Sequence, residues 1–433
     1  MIKKIYCTEK NLERKVKPYA NIMEDNNDIK RKTVTKILDK LKKKGDSALL
    51  ESTNKLDNNT FKNIKEIIVS KKEIKEAKNK CSKSFLSALN LAIKRVSDYQ
   101  KKLKPNNLIY KDKLGIKLGC IWNPINSCGL YVPGGKAFYP SSVIMNGVPA
   151  KLAGVKRLII ATPAYKNIIR PEILAAAEML EIEEVYKIGG SQAVGAMTYG
   201  TKTIKKVDKI VGPGNFYVAE AKKQVFGLVG IDSVAGPSEI MIIADKYSNP
   251  EWLAIDLLSQ AEHDEEARVI LVTDDKKLAD NVEKSISKFL KTLSRNKIAS
   301  ESIKKNGLII IIPKISLSYL VANLLAPEHL EVIVKNKKQL IKNIKNAGAI
   351  FAGRYSPEAL GDYVAGPSHV LPTGGNARFE SGLSILDFLK RTSYIEANKK
   401  GFAKLYRPIE VIANSEGLDA HAKSATIRFL KRK

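Results

Sequence analysis

Four histidines are the side chains of this sequence best suited to acid–base or metal chemistry, because imidazole titrates near neutral pH and binds divalent metals. They are His263, His329, His369 and His421, and three of them have an acidic residue within two positions. All four lie outside the apolar middles of the predicted helices and strands. One histidine beside an acid is most simply a surface pair, but four placed in this way favour a shared site.

Gln260 and His263 lie at the end of a predicted helix, whose first turn Asn249 can cap and whose first position suits Pro250. Residues three apart share a helix face, so both side chains can converge on one ligand. Zinc binds nitrogen and oxygen donors, and Asp362 with a distant histidine could complete such a site. The spacing alone is a weak signal, since the sequence has no His-Glu-x-x-His motif or cysteine cluster. The same donors also suit Mn²⁺ or Co²⁺.

The adjacent residues Glu328 and His329 form a second candidate unit. A carboxylate that activates water beside an imidazole that exchanges protons is a recurring acid–base arrangement. A polar pair at the start of a strand explains the same two residues equally well when they are considered alone.

Glycine-rich turns follow several predicted strands, at 129–135, 189–195 and 212–215. Such turns bring backbone N–H groups close to phosphates at helix N-termini, which suits a dinucleotide. None of them reads Gly-x-Gly-x-x-Gly, so the pattern by itself does not demonstrate a dinucleotide site. Tight structural turns account for the glycines equally well.

The elements that must position these residues alternate between strands and helices. Residues 1–110 read mainly as helix, with periodic apolar residues over 33–44 and 71–104. From about 114 onward short apolar strands alternate with helices in two successive arrays, which indicates parallel sheets covered by helices. The predicted strands of these arrays are 157–161, 184–188, 207–211, 240–244, 269–273 and 308–312.

Composition excludes several classes of protein. The chain is 44% hydrophobic and 27% charged, and no segment approaches the roughly 20 apolar residues of a membrane span. The N-terminus lacks the apolar core of a signal peptide, and the four cysteines form no Cys-x-x-Cys pair, so we expect a cytoplasmic protein with reduced thiols, not membrane-bound. A net charge of +29 invites a nucleic-acid partner, but the lysines are dispersed among acids, so we expect none.

Taken together, the ordered motifs resemble the histidinol dehydrogenase family from about Gly45 to Arg428. The resemblance is carried by these segments: Gly-Leu-Tyr-Val-Pro-Gly-Gly (129–135), Gly-Gly-Ser-Gln-Ala (189–193), Val-Gly-Pro-Gly-Asn (211–215), Ile-Asp-Ser-Val-Ala-Gly-Pro-Ser-Glu (231–239), Leu-Leu-Ser-Gln-Ala-Glu-His-Asp (257–264), Ala-Pro-Glu-His-Leu (326–330) and Glu-Gly-Leu-Asp-Ala-His (416–421). So many motifs in one order are highly specific, whatever each contributes alone.

The resemblance implies an enzyme with one zinc ion per subunit that oxidises L-histidinol to L-histidine through L-histidinaldehyde in two NAD-dependent steps, the last step of histidine biosynthesis. Glu328 would activate the hydrating water, and His329 would be the acid–base residue of both oxidations. The other roles transferred by position are zinc ligands Gln260, His263, Asp362 and His421; substrate contacts Ser238, Gln260, His263, His329, Asp362, Glu416 and His421; and NAD contacts Tyr131, Gln192 and Asn215.

The implied fold class is α/β, with two Rossmann-like parallel-sheet domains, a helical N-terminal region and a small C-terminal dimerisation tail. We expect a discontinuous domain of residues 25–130 and 238–383 to carry the zinc and catalytic residues, and residues 131–237 to contact NAD. The tail, 384–433, would pack on the partner subunit of a homodimer and supply His421 to a shared active site.

Two other functions remain open on the sequence. A related zinc- and NAD-dependent dehydrogenase acting on another primary alcohol is the nearer alternative, and a basic nucleic-acid-binding protein is the remoter one. The role of His369 stays unassigned between a substrate contact and support of the zinc ligands.

Overall fold

The computed structural model describes residues 2–20, 28–134 and 138–429. Gly135 of the first glycine-rich turn, and residues 25–27 and 430–433 of the predicted domains, lie outside the described residues. The strands are β1 (Lys3–Tyr6), β2 (Leu108–Lys111), β3 (Lys117–Pro124), β4 (Ser127–Tyr131), β5 (Arg157–Thr162), β6 (Glu184–Lys187), β7 (Lys209–Val211), β8 (Gly230–Ile231), β9 (Glu239–Ala244), β10 (Arg268–Thr273), β11 (Gly307–Ile311), β12 (His329–Ile333), β13 (Ala349–Ala352) and β14 (Leu389–Glu396).

The α-helices pack on these strands in layers and in a C-terminal group. They are α1 (Leu12–Val16), α2 (Asp28–Lys44), α3 (Asp46–Leu56), α4 (Lys71–Glu76), α5 (Lys83–Leu103), α6 (Pro140–Ala153), α7 (Pro171–Met179), α8 (Gly190–Tyr199), α9 (Phe216–Val225), α10 (Pro250–Ala261), α11 (Lys276–Leu290), α12 (Asn296–Asn306), α13 (Ser318–Leu325), α14 (Lys337–Lys342), α15 (Glu358–Tyr363), α16 (Lys399–Phe402), α17 (Tyr406–Ser415) and α18 (Asp419–Thr426).

Two parallel sheets share one strand order. The first sheet has the order β6-β5-β4-β7-β8, and the second has the order β1-β11-β10-β9-β12-β13. When the strands of each βα array are numbered along the chain, both sheets read 3-2-1-4-5, with β1 added at the edge of the second. This is the order of a Rossmann-like half, in which ligands bind where the order reverses. The predicted α/β class with two parallel sheets is confirmed.

The second sheet is buried on both faces, and its pleat decides which residues reach the site. Ile240 and Ile242 of β9 pack against α10–α12, whereas Met241 and Ile243 pack against α1 and α13. In β12, Leu330 and Val332 join the α13 side. Because successive side chains of a strand point to opposite faces, His329 and Glu331 of β12 face α10.

The N-terminal helices α2–α5 share one hydrophobic core with the first sheet. Val34, Leu49 and Leu89 from these helices lie in the same buried cluster as Ile144 and Ile159. This packing differs from the predicted grouping of 25–130 with 238–383, because the apolar faces of the helices meet the first sheet. The boundaries predicted at 131–237 and 384–433 stay predictions.

The predicted long helix over 71–104 is interrupted. The side chain of Ser82 accepts a hydrogen bond from the backbone N–H of Phe85 and caps a new helix, α5, after α4 and a short 3₁₀ turn. An N-cap residue has non-helical backbone angles, so it separates the two helices. Pro105 follows the end of α5, as expected.

The C-terminal tail was predicted to be helical and irregular, but it also contains β14, which pairs with β3 in an antiparallel sheet completed by β2. The four residues of β2 are all exposed, so no alternation marks that strand in the sequence. Among the described residues, no helix is long and apolar enough to cross a membrane.

Candidate active site

The end of α10 delivers Gln260 into the interior. The side chain of Asn249 accepts from the backbone N–H groups of Glu251 and Trp252, and Pro250 opens the helix, as the sequence predicts. At the other end Gln260 is buried. With its amide nitrogen turned toward Glu358, Gln260 donates to both carboxylate oxygens, at 3.0 Å to Oε2. The amide oxygen of Gln260 then faces away from Glu358 and is free to bind a cation.

His329 begins β12 and is buried, with its two ring nitrogens in different surroundings. Nδ1 lies 3.0 Å from the backbone carbonyl oxygen of Glu239. Because a carbonyl only accepts, Nδ1 carries a proton and the neutral ring has its lone pair on Nε2. Nε2 is 3.7 Å from Oδ1 of Asp362, and among the described residues it has no hydrogen-bond partner. The free nitrogen is therefore the one that can take a proton from a ligand.

Three carboxylates surround the His329 ring. Nδ1 lies 3.7 Å from Oε2 of Glu328 and 3.7 Å from Oε1 of Glu358. Burial lowers the pKa of His329, but the charges of Glu358, Glu328 and Asp362 outweigh it and raise that pKa well above its ordinary value. These charges therefore favour the protonated ring, and His329 can take a proton from a ligand only when Nε2 has given up its own.

Glu328 lies directly before β12 and is buried. Its Oε2 accepts a hydrogen bond from the backbone N–H of Glu239 at 2.9 Å. Burial raises the pKa of Glu328 to about 8, against the opposing charge of His329. A carboxyl group that titrates near neutral pH is suited to exchange protons with water or substrate.

Helix α15 supplies two acids to the same place. Glu358 and Asp362 are four residues apart, so they share one helix face. Glu331, buried in β12, accepts the backbone N–H of Glu358 at 2.8 Å and fixes the start of this helix. Ligand atoms of His329, Glu358 and Asp362 lie within 4.8 Å of one another, close enough to hold a metal ion. Only Asp362 of this trio belongs to the predicted zinc ligands.

His263 follows α10 and stacks on the ring of Tyr139, with 6.4 Å between ring centroids. Its backbone carbonyl accepts from Nη2 of Arg295 at 3.3 Å. Burial lowers the pKa of His263, although the charge of Asp362 opposes this. The neutral imidazole that results is the form that binds a metal.

His369 links helix α15 to helix α6. Nδ1 of His369 donates to the backbone carbonyl of Asp362 at 3.1 Å, and Nε2 lies 3.3 Å from the hydroxyl oxygen of Ser142, at the start of α6. The contact is with the backbone of a predicted zinc ligand, so His369 holds that residue in place.

A cavity of ≈ 90 Å³ lies between the two sheets. Gly212 lines it from the carboxyl edge of the first sheet, and Ser238 and Glu328 line it from the amino edge of the second. His369 and Thr373 also border it. The predicted substrate contact Ser238 therefore faces the same space as Glu328, the predicted acid–base residue.

Two of the predicted NAD contacts lie in one buried network at the carboxyl edge of the first sheet. The hydroxyl of Tyr131, at the end of β4, accepts from the backbone N–H of Gly190 at 3.1 Å. Gln192 donates from Nε2 to Asp57 at 3.2 Å, and Asp57 also accepts the N–H of Gly189 at 3.1 Å. The third predicted contact, Asn215, caps α9 through Tyr217 and Val218.

Glu416 and His421 are exposed; Glu416 directly follows α17, and His421 lies in α18. His421 lines a cavity of the tail together with Phe402 and Ile409. Within one chain, the contacts described for these two residues therefore lie in the tail and not around His329.

Several residues of the site carried no clear signal in the sequence. Glu358 and Glu331 could have been found from their spacing, since Glu358 is four before Asp362 and Glu331 is two after His329. Asp57 and Tyr139 reach the site only through tertiary contacts, and no local pattern marks them.

The fold and the site define an α/β enzyme in which acid–base residues of one Rossmann-like sheet face the ligand-binding edge of another. The family model for histidinol dehydrogenase matches residues 21–429. Histidinol dehydrogenase 1 of Nostoc sp. is 49% identical over 397 residues, which cover 92% of this chain and 91% of that protein. The chain belongs to the histidinol dehydrogenase family, which confirms the resemblance.

Other relatives agree with this assignment. Histidinol dehydrogenase of Bacillus cereus is 47% identical over 414 residues, covering 96% of this chain and 95% of that protein. The crystal structure of histidinol dehydrogenase from Elizabethkingia anophelis matches with a TM-score of 0.93 at 35% identity, covering 99% of this chain and 98% of that one. The family consists of NAD-dependent oxidoreductases of the last step of histidine biosynthesis.

Proposed function

We propose that this chain oxidises L-histidinol to L-histidine through L-histidinaldehyde, reducing two NAD⁺ and adding one water to the aldehyde. Membership of the family supports the substrate and the cofactor. The observation that carries the chemistry is His329, whose Nδ1 is committed to the carbonyl of Glu239 while Nε2 is free. A base of fixed tautomer is what two successive alcohol oxidations require.

His329 acts in both oxidations. In the first, Nε2 takes the hydroxyl proton of the alcohol while a hydride leaves the same carbon for NAD⁺, giving the aldehyde and NADH. In the second, Nε2 takes a hydroxyl proton of the hydrated aldehyde as a second hydride leaves, giving the carboxylic acid. Between the two steps Nε2 gives its proton to the aldehyde oxygen as water adds, so the ring is again a base for the second oxidation.

Glu328 acts between the oxidations. Its carboxylate takes a proton from water as the water oxygen adds to the aldehyde carbon, and the aldehyde oxygen takes the proton that Nε2 of His329 held after the first oxidation, which gives the hydrate. Glu328 then releases its proton to solvent. The raised pKa of Glu328, about 8, strengthens its carboxylate as a base, and the ionised fraction that does this step grows as pH rises toward 8.

The donors of Gln260, His263 and Asp362 fit a zinc ion, because zinc binds amide or carboxylate oxygen and neutral imidazole nitrogen. Glu358 holds the amide nitrogen of Gln260, which leaves the amide oxygen for the ion. His421 of the partner subunit would complete the set. When bound, zinc would supply a fixed anchor for the imidazole and amine of the substrate.

The remaining contacts follow the two edges of the cleft. Ser238 would bind substrate beside Glu328, and Glu416 of the tail would reach it with His421 across a subunit boundary. Tyr131, Gln192 and Asn215 would contact NAD at the carboxyl edge of the first sheet, where ligands of Rossmann-like sheets bind.

A homodimer with shared active sites would explain why the tail exposes apolar side chains and two of the proposed site residues. Apolar side chains are exposed on it at Ile395, Val411 and Ile427, and exposed apolar surface of this kind suits an interface. Glu416 and His421 are exposed on the same tail, which suits side chains that act in a neighbouring subunit.

The test is the stoichiometry of NADH formed per L-histidinol consumed by the zinc-loaded protein. We expect a ratio of two with L-histidine as product. A ratio near one, or turnover of another primary alcohol in preference to histidinol, would assign the chain a different reaction within the same fold.

A further inference from the structure

A buried ion pair lies beside the cleft and has no part in the chemistry above. Lys222 is in α9, and Asp232 directly follows β8. Nζ of Lys222 contacts Oδ1 of Asp232, and the two side chains are only 2% and 4% exposed. Burying two charges carries a large desolvation cost, so such a pair is weak evidence for stability and invites another explanation.

Both members of the pair bind the same residue, Gly212. The N–H of Gly212 donates to Oδ2 of Asp232 at 2.7 Å, and Nζ of Lys222 donates to the carbonyl of Gly212 at 3.1 Å. Gly212 has φ +115°, and a Cβ there would lie 2.1 Å from the carbonyl oxygen of Tyr131. The pair therefore fixes, on both sides, a residue that must be glycine and that lies in close contact with the end of β4.

Gly212 lies where the strand order of the first sheet reverses, which is the position at which Rossmann-like sheets bind a dinucleotide. It follows β7, whose neighbour in the sheet is β4, and between these two strands the order of the first sheet reverses. Tyr131 ends β4 and Asn215 lies three residues after Gly212. Two of the proposed NAD contacts thus flank the residue that Lys222 and Asp232 hold.

We propose that Lys222 and Asp232 are positioning residues of the NAD site. They fix the backbone of residues 212–215 relative to Tyr131, so that the side chains of Asn215 and Tyr131 can contact the same NAD molecule. Both border the same cavity as Ser238 and Glu328, and they act on the NAD site through their bonds to Gly212. The inference rests on the proposed NAD site and extends it to two residues.

The test removes the pair without leaving a lone buried charge. In Lys222→Met/Asp232→Ala both bonds to Gly212 are lost, whereas Lys222→Met/Asp232→Asn keeps an oxygen that can accept the N–H of Gly212. Replacement of a buried ion pair by uncharged side chains is often tolerated by the fold. Thermal unfolding and zinc content show that each variant is folded and metal-loaded.

We expect the NAD⁺ dissociation constant, measured by titration calorimetry, to rise roughly ten- to a hundredfold in Lys222→Met/Asp232→Ala, because small displacements of positioning groups are costly. The rise should be smaller in Lys222→Met/Asp232→Asn. The KM for NAD⁺ should follow, while the KM for histidinol and kcat at saturating NAD⁺ stay within about twofold of wild type.

A matched control is Arg157→Met/Glu184→Gln, which removes an ion pair of 2.8 Å at the opposite edge of the same sheet. It should leave NAD⁺ affinity unchanged. Wild-type NAD⁺ affinity in both double variants, or equal losses in the variants and the control, would overturn the proposal. If Lys222→Met/Asp232→Ala does not fold, the NAD⁺ affinity of Lys222→Met/Asp232→Asn decides. Failure of the wild-type chain to bind NAD⁺ would instead refute the proposed function.

Discussion

At the scale of single residues, the site depends on which atom each side chain leaves free. The backbone carbonyl of Glu239 fixes Nδ1 of His329, and the carboxylate of Glu358 fixes the amide nitrogen of Gln260. In each case one polar atom is held by a protein partner, and we propose that the other binds the ligand. Buried polar groups need such partners, and the partners set their orientation.

Glu328→Gln tests the water-activating base. Glutamine keeps the volume and can still accept the N–H of Glu239, so the fold and the zinc content should be unchanged. Loss of the base should lower kcat roughly 10²- to 10⁴-fold. Oxidation of added histidinaldehyde, followed as NADH formation, should show the loss. Unchanged turnover would remove Glu328 from the mechanism.

Glu358→Ala tests the orientation of Gln260. Without the carboxylate, the amide of Gln260 can rotate, and we expect zinc affinity, measured by competition with a chromogenic chelator, to fall roughly 10- to 100-fold. The control is Glu251→Gln in α10, the helix that carries Gln260. Glu251 is exposed and pairs with Lys288 at 2.7 Å. Equal zinc affinity in both variants would show that Glu358 does not position the ligand.

At the scale of elements, strand ends and helix ends bring the groups together. β12 presents His329 and Glu331 to α10 because its pleat places Leu330 and Val332 on the other face. α15 presents Glu358 and Asp362 one turn apart. On the first sheet, Asp57 at the end of α3 holds the turn after β6 through Gly189 and Gln192.

Asp57→Asn tests this anchor through its pH dependence. Burial raises the pKa of Asp57 to about 6 from 3.8. The folded state thus binds this proton more tightly than the unfolded chain does. As pH rises from about 4 to 6 the proton is lost, and the free energy of unfolding of the wild-type protein falls by about 3 kcal/mol in total. The Tm of the variant minus that of wild type should therefore increase by a few degrees between pH 4 and pH 7.

The control for Asp57 is Asp98→Asn, which removes an exposed acid of α5 paired with Lys94 at 3.0 Å. Its Tm difference from wild type should not rise over the same pH range. A constant difference for Asp57→Asn would show that the buried carboxylate is not linked to folding. Changes in hydrogen bonding to Gly189 and Gln192 shift the difference equally at both pH values and do not affect this comparison.

At the scale of the whole molecule, the proposed active site is a cleft between the carboxyl edge of one sheet and the amino edge of the other. Gly212, Ser238 and Glu328 line that cleft from the two sides. The tail carries Glu416 and His421 away from it, so the proposed site needs a second chain.

Subunit mixing tests this proposal. His421→Ala and Glu328→Gln homodimers should each be nearly inactive. Dimers re-formed from equal amounts of both should regain about a quarter of wild-type activity, because half of the dimers are mixed and one of their two sites is complete. If His421 served its own chain, the mixture would stay inactive.

The sequence by itself determined the α/β class, the alternation of strands and helices in both arrays, the capped helix that delivers Gln260 and the family. These features depend on hydrophobic periodicity, capping residues and local motifs, which are properties of neighbouring residues. Only the tertiary structure decided that α2–α5 pack on the first sheet, that Glu358 holds Gln260, and that Lys222 and Asp232 bind Gly212. Those contacts join residues distant in the chain, and their geometry depends on how the sheets and helices pack, which no local pattern encodes.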